Sequence, residues 1–178
     1  MSRIGKKIIF IPKDITIEIL NQYIHIKGIY GTLSKKFLPS VKLSILNDIL
    51  QIENIGTDKK SNSYYGSIRT IVQNMILGVS QNYSKILILQ GIGFKFQLEK
   101  SLLFINIGYT HSYKIIIPDF ISVQLESSTK LKIFGIDKEK VNLFASIIYN
   151  IKPPEPYKGK GILYENQHIN KKPGKVRK

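Results

Sequence analysis

Lysine and glycine alternate directly after a proline-rich segment near the C-terminal end of the chain. The sequence from Pro153 to Gly161 is Pro-Pro-Glu-Pro-Tyr-Lys-Gly-Lys-Gly. Ammonium groups bind phosphate oxygens, and a glycine beside each lysine lets backbone N–H groups approach the same oxyanion. The ring of Tyr157 next to these lysines suits an exposed base or sugar. The pattern fits a phosphate-rich ligand and an exposed basic turn after a helix about equally well.

Basic residues are concentrated at the two ends of the chain. The prolines at 153, 154 and 156 cannot continue a helix, and they predict a stiff, extended segment. We name residues 152–178 the C-terminal arm; it holds eight basic and two acidic residues, whereas residues 1–36 hold seven and two. The whole chain has a net charge of +15. This distribution indicates a polyanionic partner, either nucleic acid or an anionic membrane.

Other kinds of chemistry find little support in the sequence. The chain has no cysteine, which excludes disulfides, zinc–thiolate sites and thiol catalysis. His25, His111 and His168 have no ligand-like spacing, so we predict no metal site and no cofactor. Residues 91–93 begin like a dinucleotide-binding loop, but Phe96 occupies the place of the third glycine. No apolar run reaches the roughly 20 residues of a membrane span, and we expect no secretory or transit segment.

Alternating apolar residues predict short strands, and two longer segments predict helices. The first strand patterns cover residues 8–12, 15–19, 23–27, 33–38, 42–46 and 49–53. A helix should follow with Ser61 or Asn62 as its cap, and its apolar stripe is Tyr65, Ile68, Val72, Met75 and Val79. Further strands between residues 86 and 134 lead to a second helix, capped by Asp137 and ended by Pro153, with the stripe Val141, Phe144, Ile148 and Ile151.

The two halves of the chain resemble each other. Ile11-Pro12 and the alternating apolar residues after it match Ile117-Pro118 and its followers at an offset of 106. Residues 24–28 match residues 131–135 at an offset of 107. We predict an α+β protein of two tandem duplicated domains, each a short, mostly antiparallel sheet with one packed helix, plus a basic C-terminal extension. The expected domains are residues 1–82 and 83–178.

Several motifs together resemble one protein family. The sequence Pro-Glu-Pro-Tyr-Lys-Gly-Lys-Gly-Ile at residues 154–162 resembles the signature of large ribosomal subunit protein six, bacterial and plastid type. Shorter matches are Ser2-Arg3-Ile4-Gly5-Lys6, Ile11-Pro12, Gly91-Ile-Gly-Phe94, Gly108-Tyr-Thr-His111 and Gly174-Lys175. The resemblance covers nearly the whole chain. One position departs from the family, which usually has a basic residue after Gly161-Ile162 where this chain has Leu163, and a phosphate contact there is in question.

The resemblance implies a structural, non-enzymatic component of the large ribosomal subunit. Such a protein binds large-subunit rRNA near the sarcin–ricin loop and the stalk base, beside neighbouring ribosomal proteins and translation factors. We expect no membrane partner and no small-molecule substrate. The predicted RNA-binding residues are Tyr157, Lys158, Gly159, Lys160, Gly161, Tyr164, Lys171, Lys172, Lys175, Arg177 and Lys178. A secondary RNA contact is predicted at Arg3, Lys6 and Lys7.

Composition bears on the compartment. Lysine supplies 24 of the 27 basic residues, and isoleucine and asparagine are abundant, which is typical of AT-rich genomes. With the resemblance, this bias favours a plastid or apicoplast ribosome, with the cytoplasm of an AT-rich bacterium as the alternative. Two other functions stay open from the residues alone. One is an enzyme that uses the Lys-Gly-Lys-Gly segment as a phosphate or nucleotide cradle; the other is a peripheral protein held on an anionic membrane.

Overall fold

The computed structural model describes residues 3–56 and 58–174, which form two compact units. The first unit comprises Met1–Tyr83 with Ile136–Lys138, and the second comprises Ser84–Gly135 with Glu139–Lys178. The predicted α+β class is confirmed, because the described residues form antiparallel sheets and two helices. That the chain divides into the separate domains 1–82 and 83–178 stays a prediction.

The first unit has six strands followed by one helix. They are β1 (Ile9–Phe10), β2 (Thr16–Leu20), β3 (Tyr23–Gly28), β4 (Gly31–Lys36), β5 (Val41–Leu46), β6 (Ile49–Asn54) and α1 (Lys59–Gln81). The strands form two antiparallel sheets, with the orders β1-β6-β5 and β2-β3-β4, where the sequence predicted one. Helix α1 contacts strands of both sheets and closes one core between them.

The apolar stripe of α1 lies in this core. All five residues predicted for the stripe are buried, which confirms the helical spacing. Strands β3 and β6 supply the side chains that complete the centre of the unit, namely Ile24, Ile26 and Leu50, each with no exposed surface. Burial of one such side chain stabilises the folded state by about 1.5–3 kcal/mol, so the helix and the sheets depend on each other.

Helix α1 begins earlier than the sequence predicted. It starts at Lys59 after Asp58, and no side chain of Asp58 caps it. Ser61 and Asn62, predicted as the cap, lie inside the first turn and bind Asn54 at the end of β6. The Ser61 hydroxyl donates to Oδ1 of Asn54, while Nδ2 of Asn54 donates to Oδ1 of Asn62 at 2.9 Å. Their polar atoms therefore join the helix to the sheet instead of satisfying its free N–H groups.

The second unit repeats this plan and adds one strand. Its elements are β7 (Tyr83–Gln90), β8 (Lys95–Glu99), β9 (Leu102–Asn106), β10 (Tyr113–Ile116), β11 (Ser122–Ser127), β12 (Lys130–Gly135), α2 (Lys138–Ile151) and β13 (Gly161–Tyr164). The sheets have the orders β10-β9-β8 and β11-β12-β7-β13. Helix α2 begins directly after Asp137 and ends before Pro153, as predicted. Val141, Phe144 and Ile148 of its predicted stripe are buried, and Ile151 is half-buried.

The duplication is present, but the offset of 106 predicted for it is wrong. The order β2-β3-β4 of the first unit recurs as β8-β9-β10, and β1-β6-β5 recurs as β7-β12-β11. Loop hydrogen bonds repeat at an offset of 80 residues. The N–H of Val41 donates to the carbonyl of Leu38 at 3.1 Å, and the N–H of Ile121 donates to the carbonyl of Pro118 at 3.0 Å. The predicted register instead matched the β2-β3 hairpin with β11-β12, because hairpins with one buried face share the same alternation.

A buried aspartate should unfold either unit. Val72 and Phe144 are almost fully buried, so Val72→Asp or Phe144→Asp would place an unpaired carboxylate in a core. We expect each change to lower the free energy of unfolding by about 3 kcal/mol or more, measured by urea denaturation. Leu143→Asp is the matched control, because the Leu143 side chain is 62% exposed on the same helix as Phe144. A folded Phe144→Asp variant as stable as this control would contradict the assigned core.

Candidate nucleic-acid interface

Residues 153–160, which we name the proline-glycine loop, close on themselves after α2. The N–H of Glu155 donates to the carbonyl of Lys160, and the N–H of Gly159 donates to that of Glu155, both at 2.9 Å. At the base of the loop the N–H of Ile162 donates to the carbonyl of Lys152 at 2.9 Å. The prolines end the helix as predicted, but the predicted extended arm is wrong for this segment, because these bonds turn the chain back on itself.

The two glycines allow this closure. Gly159 has φ +71°, a left-handed conformation that favours glycine, and Gly161 has φ +150°. A Cβ on Gly161 would lie 2.7 Å from Cα of Pro154 and 2.8 Å from the carbonyl oxygen of Pro153. Both glycines are buried, and the N–H of Gly159 is already bonded within the loop. Their structural role is therefore tight closure, and direct contact of these two glycines with RNA stays a prediction.

The strand that follows the loop belongs to the core of the second unit. Strand β13 pairs antiparallel with β7, with Ile162 opposite Leu89 and Leu163 opposite Ile88. Ile162 has no exposed surface and Leu163 is 7% exposed. The position at which the family resemblance led us to expect a basic residue thus carries a buried apolar side chain. Leu163 packs inside the protein and offers no charge to a phosphate.

Tyr164, the last residue of β13, is half-buried against other aromatic and basic side chains. Its ring stacks on the ring of Tyr149 with the centroids 5.0 Å apart. Nζ of Lys85 lies 5.6 Å from the centroid of the Tyr164 ring. Burial first, and then the neighbouring Tyr149, raise the pKa of the Tyr164 hydroxyl above its usual range. One face of this ring therefore packs within the second unit.

The chain after β13 returns across the proline-glycine loop. The N–H of Lys172 donates to the carbonyl of Pro156 at 2.9 Å. The side chain of Lys171 lies beside Gly159, since a Cβ added to Gly159 would be 3.2 Å from Cε of Lys171. This return brings five of the predicted residues together, and we name them the basic loop surface: Tyr157, Lys158, Lys160, Lys171 and Lys172. Lys160 is half-buried and the other four are exposed, Tyr157 by 54%. Lys175, Arg177 and Lys178 lie outside the described residues.

The lysines of the basic loop surface are available to an outside anion. Within residues 3–56 and 58–174, none of these four lysines has a carboxylate oxygen within 4.0 Å. Glu165, the acidic residue just after β13, lies 3.9 Å from Nζ of Lys130 instead. No carboxylate in this part of the chain therefore competes with a partner such as a phosphate for these ammonium groups.

The predicted secondary contact belongs to the first unit. Arg3, Lys6 and Lys7 are all exposed, while Gly5 between them is buried against the ring of Tyr65. Arg69 of α1 fixes the segment, since Nε donates to the carbonyl of Lys7 and Nη2 to the carbonyl of Ile8, both at 3.3 Å. These three basic residues thus also project from an anchored backbone, in a different unit from the basic loop surface.

The sequence prediction missed Lys152. Its Nζ donates to the carbonyl of Ile107 at 2.6 Å and lies 4.5 Å from the ring centroid of Tyr109 and 4.9 Å from that of Phe94. Lys152 therefore anchors the base of the proline-glycine loop to the connection between β9 and β10. The position of Lys152 between the end of α2 and Pro153 could have indicated this role, because a residue at that point lies at the base of the loop.

The described part of the chain has neither a metal-ligand cluster nor a helix that could span a membrane. No cluster of three histidine, aspartate or glutamate side chains suited to a metal ion occurs within residues 3–56 and 58–174. Over the same ranges, neither helix combines the length and apolar character needed to cross a membrane.

Comparison with known proteins identifies the family. A sequence model of the family Ribosomal protein L6 matches residues 90–165. The chain is 42% identical over 178 residues to Large ribosomal subunit protein uL6c of Pyropia yezoensis, an alignment that covers 100% of this chain and 99% of the relative. The chain belongs to the ribosomal protein L6 family. This confirms the resemblance seen in the motifs.

Bacterial members of the L6 family are about equally similar. Large ribosomal subunit protein uL6 of Staphylococcus carnosus is 39% identical over 178 residues and is aligned over the full length of both chains. The protein of the same name from Borreliella burgdorferi is 38% identical over 98% of this chain and 97% of its own length. The segment matched by the L6 family model, residues 90–165, includes the whole proline-glycine loop and β13.

The closure of the loop can be tested at Gly161. Gly161→Ala should lower the free energy of unfolding by about 2 kcal/mol or more, because its methyl group would meet backbone atoms and its φ is strained for alanine. Gly174→Ala is the control, since a Cβ at Gly174 meets nothing within 4 Å. Urea unfolding followed by circular dichroism measures both. A Gly161→Ala variant with unchanged stability and lost RNA binding would mean that the glycine serves the ligand and not the loop.

Proposed function

We propose that the chain binds large-subunit rRNA through the basic loop surface, in the region of the sarcin–ricin loop and the stalk base. Membership of the L6 family makes it a structural component of the large ribosomal subunit, among rRNA and other ribosomal proteins, and not an enzyme. The observation that carries the proposal is that backbone hydrogen bonds close the proline-glycine loop and hold the later segment against it, which brings four lysines and an exposed tyrosine together.

The proposed mechanism is electrostatic. Each ammonium group that neutralises a phosphate releases condensed counterions, which favours binding at low salt. Because hydrogen bonds already fix the proline-glycine loop and the segment that crosses it, little backbone freedom would be lost when RNA docks. A lysine acts as a point charge and not as a planar fork, so these contacts would read backbone position more than base identity.

The finer location rests on the family resemblance. Near the sarcin–ricin loop and the stalk base, the protein would hold RNA segments in a fixed relation and thereby support the region where translation factors bind. Arg3, Lys6 and Lys7 of the first unit would provide a secondary RNA contact. We place the protein in a plastid or apicoplast ribosome, because its amino-acid composition is typical of AT-rich genomes and fits the family resemblance. The cytoplasm of an AT-rich bacterium is the alternative.

The enzyme alternative is not retained. A nucleotide cradle requires backbone N–H groups that point at the phosphate, whereas the N–H of Gly159 is bonded to Glu155 and Gly161 lies in a paired strand. The relatives are ribosomal proteins by name. The Lys-Gly-Lys-Gly segment is therefore better explained as a closed loop that presents lysine side chains.

The lysines of the loop should set part of the salt dependence of RNA binding. Lys158→Ala with Lys160→Ala should weaken binding of the full-length protein to its large-subunit rRNA. If each ammonium neutralises one duplex phosphate, the slope of log K against log salt should decrease in magnitude by about two. Filter binding at several salt concentrations between about 50 and 200 mM measures the slope.

A matched pair of lysines controls for the loss of charge. Lys95→Ala with Lys140→Ala removes the same charge from two exposed positions elsewhere in the second unit, and we expect the slope to stay near that of the unaltered protein. An equal slope in both double variants would remove the basic loop surface from the interface. Stronger binding to anionic vesicles than to rRNA would favour a membrane instead.

The two basic groups should contribute unequally. Replacing Lys158, Lys160, Lys171 and Lys172 by alanine should reduce affinity for rRNA more, per charge removed, than replacing Arg3, Lys6 and Lys7. The reason is that the return of the chain across the proline-glycine loop concentrates the four lysines on one surface. Filter binding of the two full-length variants at equal salt compares them. Equal loss per charge would mean that the first unit is a primary contact.

A further inference from the structure

A second exposed surface of the second unit is aromatic. Residues 108–113 comprise most of the connection from β9 to β10 and the first residue of β10, and we name them the aromatic loop. Tyr109 and Tyr113 within it are 51% and 45% exposed, and their rings meet edge to face with centroids 5.6 Å apart. Every residue of the aromatic loop is exposed, so these rings are not part of the core of the unit.

The chemistry around the two rings is basic. The sequence from Gly108 to Lys114 is Gly-Tyr-Thr-His-Ser-Tyr-Lys, with no carboxylate. His111 and Lys114 are exposed beside the tyrosines, and the six residues from Tyr109 to Lys114 line one shallow concavity. Tyrosine rings combined with cationic side chains and without acidic ones are the usual composition of surfaces that stack nucleic-acid bases.

Lys152 connects the aromatic loop to the basic loop surface. Its ammonium donates to the carbonyl of Ile107, the residue just before the aromatic loop, and lies over the ring of Tyr109. Its own carbonyl accepts the hydrogen bond from Ile162 that closes the proline-glycine loop. One residue of the second unit therefore contacts both the start of the aromatic loop and the base of the proline-glycine loop.

We propose that the aromatic loop is a base-stacking site, in which Tyr109 and Tyr113 receive an unpaired base of the RNA whose phosphates bind the basic loop surface. The proposal rests on the proposed function, since it assigns a second contact to the same RNA. The ammonium group of Lys152 lies over one face of the Tyr109 ring and restrains that ring before RNA binds. The exposed surface of the Tyr109 and Tyr113 rings is then left for the base. A purely apolar protein contact is less well matched, because hydroxyl, imidazole and ammonium groups surround the rings.

Substitutions at Tyr113 separate stacking from general apolar contact. Tyr113→Leu keeps apolar volume but removes the aromatic face, so affinity for rRNA should fall roughly tenfold or more, as it does when stacking contacts are removed. Tyr113→Phe should bind within about twofold of the unaltered protein. The slope of log K against log salt should not change in either variant, because no phosphate contact is lost. Filter binding of the full-length proteins to large-subunit rRNA from the same source measures the affinity and the salt slope of each variant.

A chemical footprint identifies the base. Dimethyl sulfate modification of the rRNA should show at least one unpaired base that is protected by the unaltered protein and by Tyr113→Phe but exposed again with Tyr113→Leu. Protections that depend on Lys158 and Lys160 should persist with Tyr113→Leu. Thermal unfolding of the three proteins at equal concentration checks that the fold is unchanged.

The outcomes distinguish the two proposals. Normal rRNA binding by Tyr113→Leu, together with a reduced slope in the Lys158 and Lys160 double variant, would overturn the stacking site and leave the proposed function supported. No salt-dependent binding by the unaltered protein would overturn both. A photoreactive phenylalanine at position 113 adds a direct readout: a cross-link to a nucleotide of the assembled large subunit supports stacking, and a cross-link only to another ribosomal protein overturns it.

Discussion

The antiparallel pairing of β13 with β7 is the constraint on which the proposed RNA-binding region depends. After α2 the chain has only residues 152–160 in which to reverse and reach the edge of the sheet. Ile162 then fills the core with no exposed surface, which makes the pairing costly to break. Because a shift of the strand by one residue would move Ile162 to the other face of the sheet and out of its place in the core, the position of each loop residue before it is also fixed.

This constraint explains why glycine and proline occur beside the lysines. Prolines at 153 and 154 end α2 at once, and Gly161 lets the returning strand pass within van der Waals contact of their backbone. In a disordered tail, the backbone that carries each lysine would have to become ordered when a ligand binds, at a cost in conformational entropy. Here the free energy of folding the second unit already orders Lys158 and Lys160, so the backbone geometry of the binding surface is a consequence of core packing.

The sequence was sufficient for features that depend on local periodicity, and insufficient for those that depend on the return of the chain. Helical spacing correctly identified the apolar stripes by which both helices pack into their cores. The proline run indicated the end of α2 but gave no sign that Glu155 would bond to Lys160. Leu163 and Tyr164 looked like surface residues because the strand that buries them, β7, lies more than 70 residues earlier.

The error in the repeat has a related physical cause. Each unit contains more than one hairpin with the same alternation of apolar and polar residues, so local pattern alone cannot choose between them. Strand order decides, because β6 lies between β1 and β5 just as β12 lies between β7 and β11. In the second unit β13 pairs with the side of β7 that faces away from β12, whereas no strand of the described residues pairs with the corresponding side of β1. An added strand at an otherwise open edge covers unpaired backbone groups, and the loop that leads to it becomes a new surface. The basic loop surface therefore belongs to the extension that adds β13 to the second sheet, and not to the elements that the two units share.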